Sequence, residues 1–202
     1  MKLTKRQKAL ILGTVLGDGF LQKTGSKNAR LRLEHGYKQK EYITWKAEQM
    51  PRLFQGKPSY LERKHPKSGE TYSYWRHQSN ATPELGKWRV LFYLEGRKTI
   101  PETLPQLLTE PLSLAVWYMD DGYYYERDGV SYLYLGRVSK EEAEIAKEAI
   151  EKNFGVSSRV YDKKKKGFAL YFPREETVQL HNLIREHMLP MFNYKLTTSL
   201  TP

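Results

Sequence analysis

Cysteine is absent from the 202 residues. Disulfides and thiolate metal centres are therefore excluded, which fits a reducing compartment. The five histidines (His35, His65, His77, His181 and His187) have no zinc-type spacing. Glycine-rich phosphate loops are missing. So are long hydrophobic runs. The segment after Met1-Lys2-Leu3-Thr4-Lys5-Arg6 is apolar but too short to span a bilayer, and it contains Gly13, Gly17 and Asp18. Neither a secretion signal nor a membrane helix is expected, which implies an intracellular protein, cytoplasmic or organellar. Acidic side chains are in deficit, 23 against 34 Lys and Arg, for a net charge of +11. An excess that large favours a polyanionic partner, nucleic acid first. A basic protein with no such partner is the plain alternative.

What is present is a core-forming share of hydrophobic residues, 39%, so the chain is not disordered. Tyrosine stands out, 15 against 7 Phe and 4 Trp. Its flat apolar ring and hydroxyl suit half-buried sheets and wet contact surfaces.

The chain repeats itself. Ile11-Leu12-Gly13-Thr14-Val15-Leu16-Gly17-Asp18-Gly19 and Leu114-Ala115-Val116-Trp117-Tyr118-Met119-Asp120-Asp121-Gly122 are both apolar helical stretches that end in Asp-Gly. Similar elements follow each. In the first half, Thr4 and Gln7 form a capping box. A hairpin turns at 23–28 and returns through the alternating strand 30–34. Residues 37–50 read as helix, a second hairpin covers 57–64 and 70–78, and Thr82-Pro83 opens a helix to Gly96. In the second half, a hairpin covers 123–127 and 131–137 with Asp128-Gly129 at its turn. Ser139 and Glu142 cap a helix that stops at Gly155. Strands follow at 157–162 and 167–172, and Pro173 opens a helix that ends before Pro190. Each half reads helix, two strands, helix, two strands, helix. The expected divisions are residues 1–97, a linker at 98–110 stiffened by Pro101 and Pro105, and residues 111–202. A single mixed sheet without symmetry is the alternative.

Gly13 and Gly17 lie on one helix face, where a partner helix can approach closely. From Ala9 to Gly17 the helix carries no charge, as befits burial nearly all round. Asp18 then sits at a helix C-terminus, where the dipole disfavours an anion. If a pseudo-two-fold axis relates the repeats, Asp18 and Asp121 become neighbours. Two such carboxylates repel unless a cation lies between them. Mg²⁺ suits oxygen ligands, and bound metal can activate water against a phosphodiester. Two ordinary turn aspartates are the bland alternative.

These two nonapeptides resemble the LAGLIDADG motif, and the chain resembles the LAGLIDADG homing endonucleases over nearly its whole length. Val116 and Asp120 depart from the motif, which prefers small residues there. Lys98-Thr99-Ile100-Pro101 and Asn193-Tyr194-Lys195-Leu196 are similar to segments of the single-chain, two-motif branch. The resemblance implies an α+β fold of two pseudo-symmetric αββαββα halves, each an antiparallel four-stranded saddle sheet backed by helices. It implies Asp18 and Asp121 as catalytic metal ligands, because the family's ligand precedes the final glycine. Gly17 and Asp120 flank them in the metal-site set. Lys98 and Lys195 match the basic residues that organise water near the scissile phosphates. Mg²⁺ is the expected cofactor, with Mn²⁺ able to substitute.

The implied partner is double-stranded DNA, read through the polar faces of the sheets and cut once per strand across the minor groove, leaving short 3′ overhangs. The alternation agrees with such faces: Tyr72, Tyr74, Arg76 and Gln78 share one, as do Arg30 and Arg32, while Tyr132 and Tyr134 oppose Leu133 and Leu135, and Tyr171 opposes Phe168, Leu170 and Phe172. Lys23, Lys27, Arg63, Arg137, Arg159 and the run from Lys163, Lys164 and Lys165 to Lys166 add contacts, the run toward phosphate. Two unlike halves imply a monomer with no obligate protein partner, on a non-palindromic site of roughly 20 base pairs at ~10 base pairs per turn. The rivals are an intron RNA-splicing maturase on the same fold, with intron RNA as partner, and a DNA-binding regulator. Retention of acid at both motif ends favours the nuclease.

Overall fold

The computed structural model describes residues 2–198. Residue 1 and residues 199–202, the outer ends of the two expected halves, lie outside them. The first repeat runs α1 (Lys5–Leu16), β1 (Phe20–Lys23), β2 (Ala29–Gly36), α2 (Lys40–Glu48), β3 (Ser59–Lys64), β4 (Thr71–Gln78) and α3 (Pro83–Phe92). After a two-residue ladder, β5 (Tyr93–Leu94) with β6 (Arg97–Lys98), and a short α4 (Leu104–Leu107), the order recurs. It gives α5 (Pro111–Asp121), β7 (Gly122–Tyr125), β8 (Val130–Gly136), α6 (Lys140–Phe154), β9 (Arg159–Asp162), β10 (Phe168–Phe172) and α7 (Arg174–Ile184). Strand order is β1-β2-β4-β3 in one sheet and β7-β8-β10-β9 in the other. Both are antiparallel, so the repeat, not one mixed sheet, describes the fold.

Local chemistry sets these boundaries. Thr4 accepts from the Gln7 amide at 3.2 Å while Gln7 accepts from the Thr4 amide at 3.1 Å. Ser139 and Glu142 repeat the device at 3.1 and 2.6 Å. Each box satisfies donors that a helix start leaves orphaned. Gly155, at φ 69°, ends α6 in the left-handed region open to glycine. The helix opened at Pro83 stops at Phe92, short of the expected Gly96. Glu95 and Gly96 both take positive φ, 50° and 82°, and turn the chain into the β5–β6 hairpin. Tyr93 pairs with Lys98 there, which fixes the backbone of Lys98.

Contacts group the chain into two compact units, Met1–Leu3 with Asp18–Leu91, and Thr4–Gly17 with Phe92–Pro202. In the first, Leu21, Leu31 and Leu33 are buried on one sheet face. Tyr42 and Ile43 of α2 are buried with them in that unit's core. In the second, α1 packs on α5, and residues 9–16 and 112–119 are buried without a break. A Cβ on Gly13 would lie 2.3 Å from the Ser113 carbonyl oxygen and 2.8 Å from the Val116 Cβ. Only glycine allows that approach. Leu133, Leu170 and Phe172 line the packed face of the second sheet.

Candidate active site and nucleic-acid interface

The acidic ends of the two motif helices have different surroundings. In the first unit, Asp18 is about half exposed, and its Oδ2 lies 3.9 Å from Nδ1 of the buried His35. The other ring nitrogen of His35 is 3.3 Å from Nζ of Lys46, which is fully buried. Lys46 also stands over the Tyr42 ring at 4.1 Å. A lysine ammonium can only donate, so Nε2 of His35 accepts and Nδ1 carries the hydrogen toward Asp18.

Sequence reasoning gave neither His35 nor Lys46 a role. One signal was available. His35 continues the alternation of Leu31 and Leu33, so a polar ring occupies an apolar register.

In the second unit, the α1–α5 seam runs from Gly13 against Ser113 and Val116 to Gly17 against Asp120. A Cβ on Gly17 would meet the Asp120 carboxylate at 2.4 Å. Residues 113, 116 and 120 thus form the face of α5 turned toward α1. Gly17 and Asp120 hold matching places on the seam, and Asp18 and Asp121 each come one residue later in the chain.

Both expected lysines reach helix ends. Nζ of Lys98 donates to the Gly17 carbonyl, and Nζ of Lys195 donates to the Met119 carbonyl at 2.8 Å. The carbonyls at a helix C-terminus carry partial negative charge, so an ammonium is stabilised there. The two anchors are offset by one residue. Lys98 holds the peptide leading into Asp18, and Lys195 holds the peptide leading into Asp120. Lys195 is buried and Lys98 half-buried.

A polar cluster that the sequence did not reveal backs Lys195. The Thr197 amide donates to Nδ1 of His181 at 2.8 Å, so Nε2 carries that ring's hydrogen. Nε2 lies 2.9 Å from the Tyr118 hydroxyl and 3.0 Å from Ser131 Oγ. The Tyr118 hydroxyl is also 3.1 Å from the Lys195 carbonyl. Burial, with the nearby Arg185 charge, lowers His181 to about 3. Burial pushes the Tyr118 phenol up. Both groups are neutral near pH 7. A cavity of about 460 Å³ opens beside Lys195, lined by Tyr123, Tyr124, Tyr125, Arg127 and Tyr194 among others.

Ladder partners put Arg30, Arg32, Arg63, Tyr72, Tyr74, Arg76 and Gln78 on one face of the first sheet, away from Leu31 and Leu33. Glu34 binds two of them, Arg76 Nε at 2.7 Å and Arg32 Nε at 3.2 Å. Arg30 donates to Gln78 at 3.1 Å. Lys23 takes the opposite parity, with Leu21 and Ala29, at the exposed end of β1. Lys27 is exposed in the turn. In the second sheet Arg159, Tyr132, Tyr134 and Tyr171 share a face. Arg137 is exposed just past β8.

The lysine run divides. Lys164 and Lys165 are exposed on a 3₁₀ turn, while Lys163 folds back over the Tyr132 ring at 3.9 Å.

Residues 8–180 match the LAGLIDADG DNA endonuclease family. The chain is 28% identical over 208 residues to "Probable intron-encoded endonuclease 1" of Wickerhamomyces canadensis, covering 96% of this chain and 85% of that one. It is 27% identical over 210 residues to "Protein RecA" of Mycolicibacterium flavescens, covering 96% of this chain and 47% of that one. The chain thus spans about half the length of the first curated relatives it matches. Among solved structures, the homing endonuclease I-WcaI bound to its DNA recognition sequence superposes with a TM-score of 0.89 at 25% identity, over 98% of this chain and 89% of that one.

Proposed function

The chain belongs to the LAGLIDADG DNA endonuclease family, and from that premise we propose that it is a site-specific double-strand DNA endonuclease that hydrolyses one phosphodiester per strand with divalent metal. The reading rests most on one matched feature. Two buried helices pack side by side, each ends in acid, and each end is gripped by a lysine from a distant part of the chain. A purely structural helix pair has no use for that combination of charges.

Asp18 and Asp121 would hold the metal, with Asp120 and the Gly17 peptide as further candidate oxygen donors. The donor set is all oxygen, which suits Mg²⁺ or Mn²⁺ and disfavours soft metals. When bound, such an ion lowers the pKa of a water and offsets charge on the leaving oxygen. The chain's own residues do the positioning. Lys98 and Lys195, held at backbone carbonyls, present ammonium charge where phosphate charge develops. His35, fixed by Lys46, directs its Nδ1–H at Asp18. Tyr118 and His181 brace the peptide that carries Lys195.

The DNA is an asymmetric site of roughly 20 base pairs, about two turns at ~10 base pairs each. The protein acts as a monomer, inside the cell, in cytoplasm or organelle. Among the described residues no helix is long and apolar enough to cross a membrane.

The test is to incubate the chain with a randomised duplex library and Mg²⁺ and to sequence the cut ends. One dominant, non-palindromic sequence with short 3′ overhangs is expected. Ends without sequence preference, or no ends at all, would reject the proposal. The maturase alternative instead requires tight binding to an intron transcript, which the same protein can be assayed for directly.

A further inference from the structure

We infer that the two sheets read their half-sites by different chemistry: guanine edges by arginine forks on the β1–β4 sheet, and thymine methyl groups by tyrosine rings on the β7–β10 sheet. This rests on the proposed DNA-cleaving function and adds the composition of the target.

On the first sheet the polar face is built from donors. Arg32 lies across from Gln78, and Arg76 across from Glu34. The Glu34 carboxylate takes up Nε of both arginines, at 3.2 and 2.7 Å. The Arg76 Nε hydrogen-bonds to Glu34, which fixes that guanidinium by its inner edge, while Arg32 Nε lies within ion-pair distance without a hydrogen bond. The Arg32 guanidinium also lies over the Phe20 ring at 4.8 Å. An arginine oriented this way loses less freedom on binding, and its terminal nitrogens match the paired acceptors O6 and N7 of guanine.

Among the described strand residues the second sheet has a single arginine on its outer face, Arg159 across from Tyr171. Strand β8 carries no charged residue at all. Tyr123, Tyr125, Tyr132, Tyr134, Tyr161 and Tyr171 occupy its outer face, with neighbouring centroids 4.5 to 6.1 Å apart. Tyr123 and Tyr161 are each nearly half exposed, so this layer is a surface and not a core. A continuous apolar patch of that kind marks a binding face. Lys163 stands over three of the rings, at 3.9, 5.3 and 5.9 Å, which adds positive charge suited to a polyanion. Burial holds the Tyr132 phenol above its ordinary pKa and Tyr134 at about 12, so both hydroxyls keep their protons. A protonated phenol both donates and accepts, and therefore distinguishes base pairs poorly. Its ring edge is apolar, and the apolar feature of the major groove is the thymine 5-methyl.

The experiment begins with binding, not cutting. An Asp18→Asn/Asp121→Asn double variant selects duplexes from a randomised library. Arg32→Ala then identifies which half-site belongs to the first sheet, as the half whose base preference relaxes. In the selected duplex, uracil replaces thymine in one half at a time, which deletes only the methyl groups. In parallel, 7-deazaguanine replaces guanine, which deletes only N7. Uracil is expected to weaken binding ~10-fold or more in the tyrosine half and less than ~2-fold in the arginine half. Deazaguanine should give the reverse. Equal losses in both halves, or a G·C-rich tyrosine half-site, would overturn the inference while leaving the DNA-binding function standing. Failure to select any duplex would overturn both.

Discussion

Single side chains carry the chemistry, and their roles separate by substitution. Asp18→Asn and Asp121→Asn should each reduce cleavage by ~10³-fold or more, since either removes a charge from the proposed metal site. Asp120→Asn separates its contribution from that of Asp121, because the Asp120 carboxylate lies on the seam against Gly17. Cleavage of a plasmid carrying the selected site measures all three. Lys98→Met and Lys195→Met should slow cleavage by ~10²-fold with little change in binding. The motif singled out both aspartates, and the two lysine-bearing segments singled out Lys98 and Lys195, as the proposed site. His35 and Lys46 were hidden because they meet only after β2 and α2 pack, and Tyr118 and His181 because 63 residues separate them. His181 also predicts an acid sensitivity. Its pKa of about 3 lies below the ordinary 6.5. Between those values the unfolded chain binds a proton that the native chain refuses. Stability is therefore full above pH ~6.5 and declines as pH falls toward 3, at up to about 1.4 kcal/mol per unit. Urea midpoints from pH 7 to 4 should fall for the parent. They should fall less for His181→Gln, which starts lower but has no such proton to refuse.

Elements show how far local sequence rules reach. Capping boxes, Pro starts and alternation located the main helices and strands, because those signals are satisfied within a few residues. The helix at Pro83 was extended too far because Gly96 read as a helix stop. In the structure Gly96 is the second residue of a two-residue turn, and only the pairing of Tyr93 with Lys98 distinguishes the two. The seam between α1 and α5 is the element contact most open to test. A methyl group on Gly13 has no room beside the Ser113 carbonyl. Gly13→Ala should therefore destabilise the fold by about 1–3 kcal/mol. That cost outweighs the gain of under about 1 kcal/mol that alanine normally brings to a helix. A raised urea midpoint would show that the helices are not in close contact there.

For the molecule as a whole, charge and repeat together point to the proposed function. A net charge of +11 predicts DNA affinity that falls steeply with salt. With six or more phosphates engaged, the slope of log K against log salt should be about −5 or steeper. The asymmetry of the two sheets was only partly legible. Sequence alternation placed tyrosines on one face, but the layer formed with Lys163 depends on which strands become neighbours. Strand order β7-β8-β10-β9 brings Tyr161 and Tyr171 beside Tyr132, a contact that no local pattern encodes.

The central claim is that one acid from each repeat is needed for strand cutting and neither for recognition. Affinity and cleavage of the selected duplex, measured side by side for the parent, Asp18→Asn and Asp121→Asn, test it directly. Cutting should vanish in both variants while Kd stays within about 3-fold of the parent, less than ~1 kcal/mol of binding free energy. Cutting at the parental rate by either variant would contradict it.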